Sequence, residues 1–98
     1  MAIKYTDEQK QKIQKLMKEV LAIGLEINEK NNGYTVFFQT WAESGLLSNY
    51  VFKGEPFKTK SIVEPNIYYA KGVTQYMQGY RKTINQLNRM IKEMNELL

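Results

Sequence analysis

Apolar residues recur at Ile13, Leu16, Met17, Val20, Ile23/Gly24 and Ile27, the spacing of one helical face. Lys12, Lys15, Lys18, Glu19 and Glu26 fall on the opposite side. Just before this run, Thr6-Asp7-Glu8-Gln9 matches a capping box, with Thr6 as N-cap and Gln9 reaching back to it. Glu8/Lys12 and Glu26/Lys30 are favourable pairs one turn apart. Asn31-Asn32-Gly33 supplies the stop, with Gly33 suited to a left-handed conformation. A rival reading ends the helix near Gly24 and turns "LEINEK" into a strand. The helical period runs through Ile27, so the longer helix is preferred.

The period then changes to two. "YTVFFQTW" and "LLSNYVFK" are rich in β-branched and aromatic residues and flank Glu43-Ser44-Gly45, which predicts a β-hairpin. Val36 and Phe38 point to one face of the first strand, Phe37 and Trp41 to the other. With the turn centred on Ser44-Gly45, Phe37 lies opposite Phe52 and Trp41 opposite Ser48. The hairpin then has an aliphatic-rich face and an aromatic face of Phe37, Trp41, Tyr50 and Phe52. A third short strand is expected within "FKTKSIV", between Pro56 and Pro65, and "KGEPFKTKS" is the least ordered-looking stretch.

The C-terminal third returns to helical spacing. Ala70, Val73, Met77, Tyr80, Ile84, Leu87, Ile91, Met94 and Leu98 alternate intervals of three and four, a heptad-like stripe widened by Tyr69, Tyr76, Met90 and Leu97. Starting from Asn66 as N-cap, this helix would be about 50 Å long. That exceeds a domain of this size, so it either kinks at Gly72 or Gly79 or overhangs and meets another chain. One long helix, a hairpin or small meander, and a second long helix make an α+β fold in a single domain spanning residues 1–98.

The aromatic face raises the functional question. Four aromatic side chains expose on the order of 600–1,000 Å², against about 300–600 Å² for the largest apolar patch on an ordinary monomer. Something should cover that face. The candidates are the chain's own helices, one on each side of the sheet, a second copy of the chain, or a foreign partner.

Composition narrows the chemistry. The 98 residues are 43% hydrophobic and 24% charged, with seven Tyr, four Phe and one Trp, as expected of a folded domain. There is no Cys and no His, which removes disulfides, thiolate chemistry and the usual imidazole base or metal ligand. No apolar run approaches the roughly 20 residues of a membrane span, and "MAIKYTDEQK" leads into no leader-like segment, so a cytoplasmic protein is expected. The net charge of +4 and pI near 9.3 admit nucleic acid as a partner, although the cations are dispersed instead of forming a block.

The enzymatic case is thin. Glu26/Glu29 and Glu93/Glu96 are carboxylate pairs three residues apart, lacking a third ligand, and read as ordinary helix-surface residues. None of the phosphate-loop, dinucleotide-loop or nucleophile-elbow motifs is present. We expect no enzyme, cofactor or metal. The candidate interface is Phe37, Trp41, Tyr50 and Phe52 on the sheet, with Tyr80, Ile84, Leu87, Ile91 and Met94 on the last helix. The alternative is single-stranded nucleic acid stacked on the sheet aromatics, with Lys53, Lys58, Lys60 and Lys71 neutralising phosphate.

The stretch "LEINEKNNGYTVFFQTWAESG" resembles small uncharacterised proteins carried by phages and mobile elements of AT-rich bacteria, over residues 20–53. The resemblance implies a short accessory protein that acts by binding, with a host protein as a possible target, and transfers no functional residue. The expectation is therefore an interaction module that self-associates, most simply as a dimer.

Overall fold

The structure is a computed structural model that describes residues 5–41, 46–68 and 79–98, with the Trp41 side chain outside the description. Helix α1 spans Asp7–Lys30, strands β1 and β2 span Tyr34–Trp41 and Leu46–Lys53, β3 spans Asn66–Tyr68, and helix α2 spans Tyr80–Asn95. The fold is α+β: among the described residues it has two helices and a three-stranded antiparallel sheet in the order β1-β2-β3.

Helix α1 begins and ends where its sequence says. The Thr6 hydroxyl accepts from the Gln9 N–H at 3.1 Å, and Gln9 Oε1 accepts from the Thr6 N–H at 2.9 Å, so both halves of the capping box form. The helix runs past Gly24 to Lys30. Asn31 takes the left-handed C-cap conformation at φ 51°, and Gly33 follows at φ 88°. Its buried line is Ile13, Leu16, Val20, Gly24 and Ile27.

The hairpin keeps its expected faces but not its expected register. Phe37 lies opposite Tyr50, Val36 opposite Val51 and Trp41 opposite Leu46, two residues from the pairing that a turn on Ser44-Gly45 would give. The turn residues 42–45 lie outside the described residues. A shift of two leaves every side chain on its face, because the strand period is two. Val36, Leu47, Asn49 and Val51 therefore line the helix side, and Phe37, Tyr50 and Phe52 the other.

Two expectations are corrected. The third strand is Asn66–Tyr68, after Pro65 and not within residues 57–63, although the Ile62 N–H donates to the Val51 carbonyl at 2.7 Å and the Asn49 N–H to the Pro65 carbonyl at 2.9 Å. Residues 61–65 thus run beside β2 without ladder geometry, held apart by Pro65, which has no N–H to give. Asn66 is then a strand residue and no N-cap. The last helix starts after Gly79, so it has 16 residues and a length of about 24 Å, not 50 Å. The stripe positions Ala70, Val73 and Met77, along with Tyr69, Gly72 and Tyr76, lie outside the described residues.

Both helices pack on the same, aliphatic face of the sheet, in place of one on each. Ile13, Leu16, Val20 and Ile27 of α1 and Leu87, Met90 and Met94 of α2 share one core with Val36, Leu47, Val51, Val63 and Ile67. Each helix has a single apolar stripe, and packing side by side buries each stripe against both the sheet and the other helix. The Tyr5 and Thr83 hydroxyls, 3.2 Å apart, fasten the start of α1 to the start of α2. Asn49, like Thr83, is polar and at 0% exposure. Its amide donates to the Met90 and Met94 sulfurs, each at 3.3 Å, while its Oδ1 has no partner among the described residues.

At Gly24, α1 comes close to β1. A Cβ added at Gly24 would stand 2.8 Å from Val36 Cγ1 and 3.7 Å from the Met94 methyl. Gly24→Ala gains about 1 kcal/mol of helix propensity but must overpack this contact, at about 1–3 kcal/mol. We expect a net loss of about 1 kcal/mol in urea melts. Adding Val36→Ala should make the pair strongly non-additive, with the second substitution cheaper in the Gly24→Ala background.

Candidate functional site

On the face of the sheet away from the helices, the aromatic side chains gather around a residue that the sequence pattern did not single out. The Phe57 ring lies 4.8 Å from Phe52, 5.5 Å from Tyr50 and 5.7 Å from Phe37, while Tyr50 and Phe52 stack on each other at 5.7 Å. Segment 54–65 is thus the cover for this face. It is a partial one. Phe52 is sealed at 2% exposure, Tyr50 is half-buried, and Phe37 remains 43% exposed with Phe57 at 62%.

Phe57 reaches this position at a conformational cost. Its φ is 62°, in the left-handed region that a bulky residue rarely enters, and such a residue costs roughly 1–2 kcal/mol. Gly54, at φ 85°, turns the chain back over the sheet, and its N–H donates to the Gly33 carbonyl at 2.7 Å. The Ser61 hydroxyl accepts from the Val51 N–H at 3.0 Å and fixes the other end of the segment. The only sequence signal for this role was an aromatic residue isolated in a polar, proline-containing stretch.

Beside Phe57 lies a groove of about 730 Å³, lined by Tyr50, Phe52, Phe57 and Ile62 on one side and by Gln86, Arg89 and Glu93 of α2 on the other. That volume falls in the range of small-ligand and peptide-anchor sites. Among the described residues its charged lining is Lys60 and Arg89 against Glu64 and Glu93, with Arg89 Nε donating to Glu93 Oε1 at 2.8 Å. The groove walls carry no net charge. A shallower, basic depression formed by Arg81, Lys82, Asn85, Gln86 and Arg89 adjoins it along α2.

The expected site residues separate into two sets. Phe37, Tyr50 and Phe52 come together as the face pattern required, whereas Trp41 is placed only by its backbone pairing with Leu46. On α2, Leu87 and Met94 are at 0% exposure inside the chain's own core, and Tyr80, Ile84 and Ile91 pack half-buried against it. Of the lysines proposed for phosphate, Lys60 lines the groove and Lys58 pairs with Glu55 at 3.7 Å. Lys53 alternates onto the helix side of the sheet at the exposed end of β2, and Lys71 lies outside the described residues. Glu26, Glu29 and Glu96 are exposed. No group of three metal-ligating side chains occurs among the described residues, nor does any helix there have the length and apolarity to cross a membrane.

Comparison of the chain with protein-family models, curated proteins and solved structures finds no match.

The left-handed φ of Phe57 separates the ring's contribution from the backbone's. Phe57→Ala loses the ring and keeps the strain, while Phe57→Gly loses both. Urea melts should show Phe57→Gly to be the more stable of the two by about 1 kcal/mol.

Proposed function

We infer that this chain is a small non-enzymatic binding module whose contact surface is the aromatic groove, and that its partner is protein, beginning with a second copy of itself. One observation carries the reading: Phe57 and Ile62 line the groove at 62% and 43% exposure, and Phe37, 43% exposed, packs against Phe57. Aromatic and aliphatic side chains grouped in this way, rimmed by polar residues, are the composition of a protein interface core.

The balance of charge favours protein over nucleic acid. Phosphate binding needs an unpaired cationic track, whereas Lys60 and Arg89 in the groove are matched by Glu64 and Glu93. The adjoining basic strip of Arg81, Lys82 and Arg89 is the one feature that supports the nucleic-acid alternative.

Sedimentation across a dilution series tests this reading, comparing the wild type with Phe57→Asp, whose changed side chain is mostly exposed. The expected result is a dimer that dissociates on dilution and a variant that stays monomeric. A wild type that is monomeric throughout, and binds a single-stranded oligonucleotide with steep loss on added salt, would replace this reading with the alternative.

A further inference from the structure

The outer edge of β1 is half occupied, and by an unusual group. The Val36 N–H donates to Asn28 Oδ1 at 2.8 Å, and Asn28 Nδ2 donates to the Val36 carbonyl at 3.1 Å. A side-chain amide of α1 therefore makes the pair of bonds that a neighbouring strand would make there. Main-chain groups alternate between the two sides of a strand, so those of Phe38 and Thr40 point outward with those of Val36. The other side of the hairpin fixes the same phase: Val51, opposite Val36, turns its groups away from β1 toward Ser61 and Ile62. Among the described residues no further strand lies beyond β1.

This edge lacks the usual protections. "YTVFFQTW" contains no charge, proline or glycine, which are the devices that blunt exposed edges. It also has an apolar roof. After the turn at residues 31–33, β1 runs back along α1, and the helical line that ends at Asn28 continues back through Leu25 and Leu21. Both leucines are exposed, at 59% and 39%. The next residue on that line is Lys18, also exposed.

We propose that the β1 edge under Leu21 and Leu25 is a docking site for an extended segment of another protein, which adds as a fourth strand at Phe38 and Thr40. Asn28 ends the added strand at Val36 and so sets its register. Side chains at alternate positions of the segment meet Leu21 and Leu25, and a carboxylate beyond them meets Lys18. A second copy of this chain does not fit. Its own α1 would lie about one strand spacing away, roughly 5 Å, where packed helices need about 8–10 Å. An extended segment carries no such helix. The surface is separate from the aromatic groove, whose lining includes no residue of β1 or α1.

A displayed library of random dodecapeptides, selected against the full chain, tests the proposal. The expected result is an enriched alternation of apolar residues with an acidic residue toward one end. Binding of the corresponding synthetic peptide should fall at least about tenfold in Leu25→Asp and in Thr40→Pro, and persist in Phe57→Asp. The proline removes only an outward N–H, which an edge strand tolerates; should it disturb the fold, Leu25→Asp decides, since that side chain is already exposed. A selection that enriches nothing, or peptides whose binding survives Leu25→Asp, would overturn the proposal.

Discussion

The architecture depends on how α1 holds Val36. Gly24 lets the helix approach the Val36 side chain to van der Waals contact, and Asn28, one turn later, binds the Val36 backbone through both ends of its amide. One residue of the strand is thereby gripped from its face and from its edge at once. The packing contact chooses which face of the sheet α1 covers, and the hydrogen bonds choose how far along the edge the helix reaches. Glycine is needed for the first and a short amide for the second, and the two stand four residues apart on a single helical line.

The two exposed surfaces follow from that grip. With α1 committed to the aliphatic face, α2 completes the core beside it, through Leu87, Met90 and Met94. Among the described residues neither helix lies over the aromatic face. Segment 54–65 covers it instead, bringing Phe57 over Phe52 in a left-handed conformation that its ring contacts offset. The cover is incomplete at Phe37 and Phe57, and the groove lies between Phe57 and α2. Among the described residues the β1 edge is occupied only at Val36, by Asn28, and the exposed Leu21 and Leu25 continue the helical line of that asparagine. A small sheet has two faces and two edges, and a chain of this length has too few elements to close all four.

Much of this was legible because it rests on local patterns. The capping box, the helix through Ile27 and the sorting of Phe37, Tyr50 and Phe52 onto one face all follow from spacing over a few residues. The hairpin register was off by two, an error the side-chain pattern cannot detect because it preserves parity. The third strand and the start of α2 were misplaced for a related reason. Asn66 suits a helix cap as well as a strand end, and only its pairing with Ser48, a long-range contact, decides. Phe57 was hidden because nothing local distinguishes an aromatic residue folded back over a sheet from one in an open loop. Asn28 reads as an ordinary polar position on the helix surface, and its role exists only once β1 is beside it.

Amide hydrogen exchange along β1 in the free, dilute protein tests most directly whether α1 sets the boundary of the open edge. The account predicts slow exchange at Val36, whose N–H is held by Asn28, against fast exchange at Phe38 and Thr40, with Asn28→Ala bringing Val36 to the fast rate at little cost in global stability. Uniform protection of all three, unchanged by Asn28→Ala, would mean that something other than this helix covers the edge and would contradict the account.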